Sequence, residues 1–177
     1  FTDAGHLLGS ASVTLDLTEN GERRTLVFSG DIGNVDQPII RDPVLLHRGD
    51  YVVMESTYGD RNHQEVWSYT DELAAVIDRT LGRGGNVVIP AFAVGRTQEI
   101  LYFIGRMKQE GLVKSVPDFP VYVDSPLAGK ATTIFAGDLR GYLDEEALEL
   151  VRTHQNMFTF PELRLTEALE ESKMLHT

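Results

Sequence analysis

His6, Asp31 and Glu55 are the residues of this 177-residue chain whose types and spacing suggest chemistry. They lie about 25 positions apart, in the stretches Asp3-Ala4-Gly5-His6, Ser29-Gly30-Asp31-Ile32-Gly33 and Met54-Glu55-Ser56. Each follows or ends an apolar run and sits beside small residues. In layered folds such strand ends converge on a cleft, because the sheet sets the spacing of the side chains there. A histidine and a carboxylate on neighbouring strands suit a zinc ion, which takes nitrogen and oxygen ligands at about 2.0–2.2 Å. The same residue types also make turns and hydrogen-bonded pairs, and spacing alone leaves both readings open. Farther along, Gly95-Arg96 opens a helical pattern. Free N–H groups and a guanidinium at a helix start suit a phosphate, with a plain solvent-facing arginine as the alternative. Asp124 and Ser125 end another short strand as cleft or turn residues. Ser10, Ser29 and Ser125 would be nucleophiles only beside a base, and no Gly-x-Ser-x-Gly elbow is present. The stretch DSPLAGK (124–130) lacks the spacing of a phosphate loop, which argues against nucleotide hydrolysis.

The elements that must position these residues read as two textures. Strands over 11–17 and 25–29 flank Glu19-Asn20-Gly21-Glu22, and Asn-Gly between apolar alternations is a hairpin signal. Tyr51 to Met54 reads as a short buried strand ending on Glu55. A helix is expected over 68–81, capped by Ser68 with Asp71 three residues on, its apolar face Leu73, Val76, Ile77 and Leu81, stopped by Gly84-Gly85. Then follow a strand at 86–89, a helix at 95–108 carrying Ile100, Leu101, Ile104 and Met107, a strand at 121–123 and a helix after Pro126. Helices around 144–153 and 166–175 complete the pattern, the former opened by Asp144-Glu145-Glu146, which suits the helix dipole. Antiparallel β followed by alternating strand and helix predicts an α/β chain with a parallel sheet in its second part and a boundary near residue 56. Tyr102, Phe103 and Tyr142 fall at helical spacing and read as core rather than as a surface for stacking bases.

Composition narrows the classes. With 42% hydrophobic and 24% charged residues the chain is globular, and with no cysteine it has neither disulfides nor thiolate ligands. Sixteen Lys and Arg against 27 Asp and Glu give a charge of −11. That argues against a protein whose whole surface grips nucleic acid, but not against a small basic cleft or a site where metal ions supply the positive charge. No apolar run approaches the roughly 20 residues of a membrane span, and the sequence shows no basic-then-apolar leader, so secretion is not expected. A cytoplasmic protein without a membrane partner is expected.

Six stretches in order, DAGHLLGSA, FSGDIG, ESTYGDR, IPAFAVGRTQEIL, YVDSPLA and EESK, resemble the metallo-β-lactamase-fold hydrolases of the β-CASP group. These are RNA-processing nucleases related to RNase J and the polyadenylation cleavage factors. The resemblance implies part of a metallo-β-lactamase β-sandwich over 1–55 and most of a β-CASP domain, with a parallel α/β sheet, over 56–177. It implies zinc-dependent cleavage of single-stranded RNA phosphodiester bonds, two cations activating a water and stabilising both oxygens of an in-line displacement. On it, His6 is a ligand to one of two zinc ions and Asp31 the carboxylate bridging both. Glu55 is the catalytic acid of motif A, supporting the histidine that assists the leaving group. Arg96 and Ser125 are substrate contacts. Gly5 and Gly9 would let the first strand approach the metal floor, and Val13, Leu15 and Leu17 would anchor it in the sandwich core.

The family's His-x-His-x-Asp-His motif would lie before Phe1 and its later histidines beyond Thr177. His47, His154 and His176 match no ligand position, and His63 is given no role. The chain is therefore expected to be an internal piece of a longer enzyme, inactive and binding zinc poorly or not at all by itself, since zinc sites take three or four protein ligands. Homodimerisation of the parent is left open. The alternatives are a non-catalytic β-CASP paralogue serving as scaffold or RNA-binding partner, and a DNA-directed nuclease of the same group. A simple β-lactamase is disfavoured by the long α/β region after residue 56.

Overall fold

A computed structural model describes residues 1–62, 69–137, 141–152 and 158–175. The backbone forms two compact units, Phe1–Gln64 with Arg140–Glu149, and Glu65–Leu139 with Leu150–Thr177.

The first unit is built on one four-stranded sheet in sequential order: β1 (Thr2–Asp3), β2 (Ala11–Glu19), β3 (Glu22–Phe28) and β4 (Tyr51–Val53). The Asn-Gly signal performs as expected. Glu19 pairs with Glu22, and Asn20 and Gly21 take φ of 51° and 82°, the left-handed pair a two-residue hairpin turn requires. The sheet is not purely antiparallel, because β4 runs parallel to β3 with Phe28 opposite Val53. The ladder puts Val13, Leu15 and Leu17 on one face with Leu26, Phe28, Tyr51 and Val53. This corrects two expectations. Leu15 and Leu17 are 42% and 49% exposed, and β4 is exposed along its length, so the alternation marks an apolar face without burying it. Residues 39–41 pair back onto 142–144 through Ile40 and Leu143, and Asp144 Oδ1 accepts the Ala147 N–H at the start of α4 (Glu145–Arg152).

The second unit packs α1 (Tyr69–Leu81), α2 (Arg96–Glu110) and α3 (Pro126–Phe135) with a two-stranded parallel sheet, β5 (Val121–Val123) and β6 (Leu163–Leu165), followed by α5 (Leu169–Leu175). Ala74 and Ile77 of α1 meet Ile104 and Met107 of α2, with Val113 and Phe119 closing the cluster. Ala74, rather than Val76, completes the buried stripe of α1, since Val76 is exposed. The proposed Ser68 cap lies outside the described residues. The expected strand at 86–89 does not form, and Val88 is 88% exposed. A β-rich segment without a ladder partner has no means of pairing its N–H and C=O groups as a strand. Conversely, β6 arises between the expected helices around 144–153 and 166–175, where no strand was expected, because Leu163 to Leu165 find β5. Tyr102 is buried, its ring edge-on to Phe103 at 5.6 Å, which places both in the core, while Tyr142 is exposed. Among the described residues no helix is long and apolar enough to cross a membrane.

Asp78 locks the end of α1 to the segment after α2. Its Oδ1 accepts the Lys114 and Ser115 N–H groups at 2.7 Å each, and Ser115 Oγ donates to its carbonyl. Ser115, through its N–H and hydroxyl, and then the Lys114 N–H hold this carboxyl below its ordinary value of 3.8. A depressed carboxylate contributes stability above its unfolded value and loses it as pH falls through the folded one. Protection of the Lys114 and Ser115 amides is therefore expected to hold above pH 3.8 and to decline below it, read by pH-dependent hydrogen exchange.

Candidate functional site

His6, Asp31 and Glu55 all lie in the first unit, and three loops carry them. The His6 loop is shaped by its own side chains. Asp3 Oδ1 accepts the Gly5 N–H at 2.9 Å, and Ser10 Oγ accepts the N–H groups of His6 and Leu7 at 3.1 Å each. The Asp31 loop abuts it directly, Gly33 N–H donating to Ala4 carbonyl at 2.8 Å. A Cβ on Gly33 would stand 1.7 Å from Gly5 carbonyl oxygen and 2.8 Å from His6 nitrogen, so only a bare backbone fits between the two loops. Gly5 is wedged from the other side by Pro43. Gly9 is different: at φ 81° it faces open space, so it supplies a turn rather than the close approach expected of it.

Glu55 closes the arrangement. Its Oε1 accepts the Ile32 N–H at 2.7 Å and its own N–H donates to Ser29 Oγ at 3.0 Å. The Ile32 N–H above all, then Thr57 and the nearby charge of His6, hold the Glu55 carboxyl below the usual range despite partial desolvation. His6 and Asp31 are exposed, and Glu55 is half-buried. The structure thus brings the loops of all three residues together. Ser10, Ser12, Ser29 and Gly33, which hold them there, carry no signal in spacing beyond being small.

Arg96 and Ser125 belong to the second unit, Arg96 opening α2 and Ser125 lying between β5 and α3. Ala93 packs on the Leu101, Val123 and Ala128 cluster. Fully buried Gln98 ties the region together. Its Oε1 accepts the Gly95 N–H at 2.7 Å, while its Nε2 donates to Ala93 carbonyl at 3.1 Å and Thr132 Oγ1 at 2.9 Å. The N–H groups of Arg96 and Thr97 donate to the carbonyls of Val94 and Phe92, so those donors turn inward. The Arg96 guanidinium pairs with Glu99, whose carboxyl is pushed up by burial against the pull of that same arginine. Ser125 is the N-cap of α3, its Oγ accepting the Ala128 N–H, with Pro126 in the first turn. Beside it Asp124 accepts hydroxyl hydrogens from Thr166 and Ser172 at 2.9 Å each. His47 is exposed, while His63, His154 and His176 lie outside the described residues.

As a metal centre the first unit is incomplete. Among the described residues no three His, Asp or Glu side chains cluster closely enough to hold an ion. An imidazole and a carboxylate on abutting loops are a partial donor set, short of the three or four protein ligands of a zinc site.

The chain is thus a mixed α/β protein with parallel strand pairing, carrying acidic and histidine side chains on interlocked loops. Residues 97–177 match the Beta-Casp domain, so this part of the chain is a β-CASP segment. It is 39% identical over 176 residues to Ribonuclease TTHA0252 of Thermus thermophilus, covering 99% of this chain and 38% of that relative. It is 32% identical over 161 residues to an RNase J-like protein of Methanocaldococcus jannaschii, covering 89% of this chain and 36% of the relative. Endoribonuclease YSH1 of Kluyveromyces lactis is 27% identical over 170 residues, 95% of this chain and 22% of its own. The chain therefore spans less than two fifths of the length of these relatives.

Proposed function

We propose that this chain is part of a zinc-dependent hydrolase that cleaves phosphodiester bonds of single-stranded RNA. Residues 1–55 form part of its metallo-β-lactamase domain and 56–177 most of its β-CASP domain. The observation that carries this reading is the interlock of the His6 and Asp31 loops through Gly33 and Ala4, with Glu55 clasping Ile32. Relatives bearing the names ribonuclease and endoribonuclease across nearly the whole chain support it. On this reading His6 and Asp31 are metal ligands, the remaining ligands lie outside residues 1–177, and no catalytic step is assigned to this chain alone. Glu55 contributes a carboxylate kept ionised at neutral pH, and Arg96 and Ser125 flank the path of the RNA backbone. A zinc ion held in part by His6 and Asp31 would supply positive charge for phosphodiester hydrolysis.

The test is zinc stoichiometry and RNA cleavage, measured side by side on the 177-residue chain and on the full-length product of its gene. The expected result is two zinc ions and cleavage in the full-length product, the cleavage lost by at least about 1,000-fold in Asp31→Ala, with neither in the 177-residue chain. Cleavage of DNA but not RNA would make the enzyme a DNA-directed nuclease. Neither zinc nor cleavage in either protein would leave a scaffold or RNA-binding role.

A further inference from the structure

We infer that Ser29 is a positioning residue that couples Glu55 to the Asp31 loop through its buried hydroxyl, with Ser12 as its brace. This rests on the proposed reading of Asp31 as a site carboxylate, and nothing in the motif assignments gives either serine a role.

Ser29 is 5% exposed and Ser12 4%, in a unit whose sheet is otherwise largely open to solvent. Every polar group of Ser29 is engaged. Its N–H donates to Val53 carbonyl at 2.9 Å, its carbonyl accepts the Ser12 hydroxyl at 2.7 Å, and its Oγ accepts the Glu55 N–H at 3.0 Å and donates to Gly30 carbonyl at 2.6 Å. One hydroxyl thus sits between Glu55, the second residue after β4, and Gly30, the first residue of the Asp31 loop. Glu55 returns from the other side, its carboxylate on the Ile32 N–H. Gly33 then fixes the end of the loop on Ala4. Three of the four residues Gly30 to Gly33 are tied through their backbones, and Asp31 lies between the ties. A hydroxyl suits this place because it accepts and donates at once within a small volume. Alanine would leave the Glu55 N–H and the Gly30 carbonyl without it. Preorganising a carboxylate to within a fraction of an ångström is what a supporting hydrogen-bond shell provides at a working site.

The first readout is amide hydrogen exchange in the metal-free 177-residue chain. Ser29→Ala is expected to accelerate exchange at Glu55 and Ile32 about tenfold, the equivalent of one lost hydrogen bond. The Leu15 and Leu26 amides of the hairpin should keep their rates, Ser29→Thr should restore the slow exchange, and Ser12→Ala should give a smaller acceleration. The second readout is kcat and KM for RNA in the full-length product, where Ser29→Ala is expected to lower kcat about tenfold at unchanged KM and Ser29→Thr to recover it. Unchanged exchange at Glu55 and Ile32 overturns the inference, and so does acceleration spread evenly over the hairpin, which would make Ser29 merely structural. If Ser29→Ala does not fold, Ser12→Ala decides by the same criteria. Cleavage untouched by Asp31→Ala sinks the reading of Asp31 as a site carboxylate instead, and the exchange data still judge the coupling.

Discussion

Gly33→Ala is expected to part the His6 and Asp31 loops and to destabilise the first unit by about 3 kcal/mol or more. The added methyl would fall 1.7 Å from Gly5 carbonyl oxygen and 2.3 Å from its carbon, both backbone atoms that no rotamer change can move. Gly5 cannot retreat, because it is wedged against Pro43 and Arg41. Separation by the necessary ångström or more breaks the Gly33 N–H to Ala4 bond, a further ~1 kcal/mol. Urea unfolding of the 177-residue chain measures the loss, and Gly9→Ala supplies the comparison. Gly9 has nothing within 4 Å and a φ of 81°, so alanine there costs only the left-handed backbone, about 1–2 kcal/mol. Equal costs at the two positions would show that the loops are not in tight contact.

Gln98→Leu is expected to destabilise the second unit by about 3 kcal/mol, although it swaps a polar residue for an apolar one of similar size in a buried place. The amide serves the Gly95 N–H, the Ala93 carbonyl and Thr132 Oγ1 together. Leucine gives nothing back to the first two, and each of these half-buried backbone groups left without its partner costs about 1–3 kcal/mol. Thr132 is spared, because its hydroxyl also donates to Ala128 carbonyl at 2.8 Å. The loss should concentrate where the loop before α2 meets α3, so exchange at Gly95 should rise more than exchange at Met107 in the core. A thermal melt within experimental error of the wild type would mean that this amide is a passenger.

The hairpin of β2 and β3, the three main helices and the motif order were legible in the sequence, because each depends on residues near one another in the chain. Asn20-Gly21 dictates a left-handed turn wherever it stands between apolar alternations, and Ile100, Leu101, Ile104 and Met107 mark a helix face by period alone. The order of six motifs gave the β-CASP resemblance and nominated His6, Asp31, Glu55, Arg96 and Ser125. What folded contacts alone decided is non-local. Val87, Val88 and Ile89 have strand composition but no partner strand among the described residues, whereas Leu163 to Leu165 become a strand because β5 lies beside them. Val13, Leu15 and Leu17 announce an apolar face, and only the surrounding structure determines how much of it is covered. The serines, Gly33 and Gln98 that hold the candidate site look ordinary in sequence. Their importance comes from hydrogen bonds and close approaches to residues up to 34 positions away, which composition and spacing do not encode.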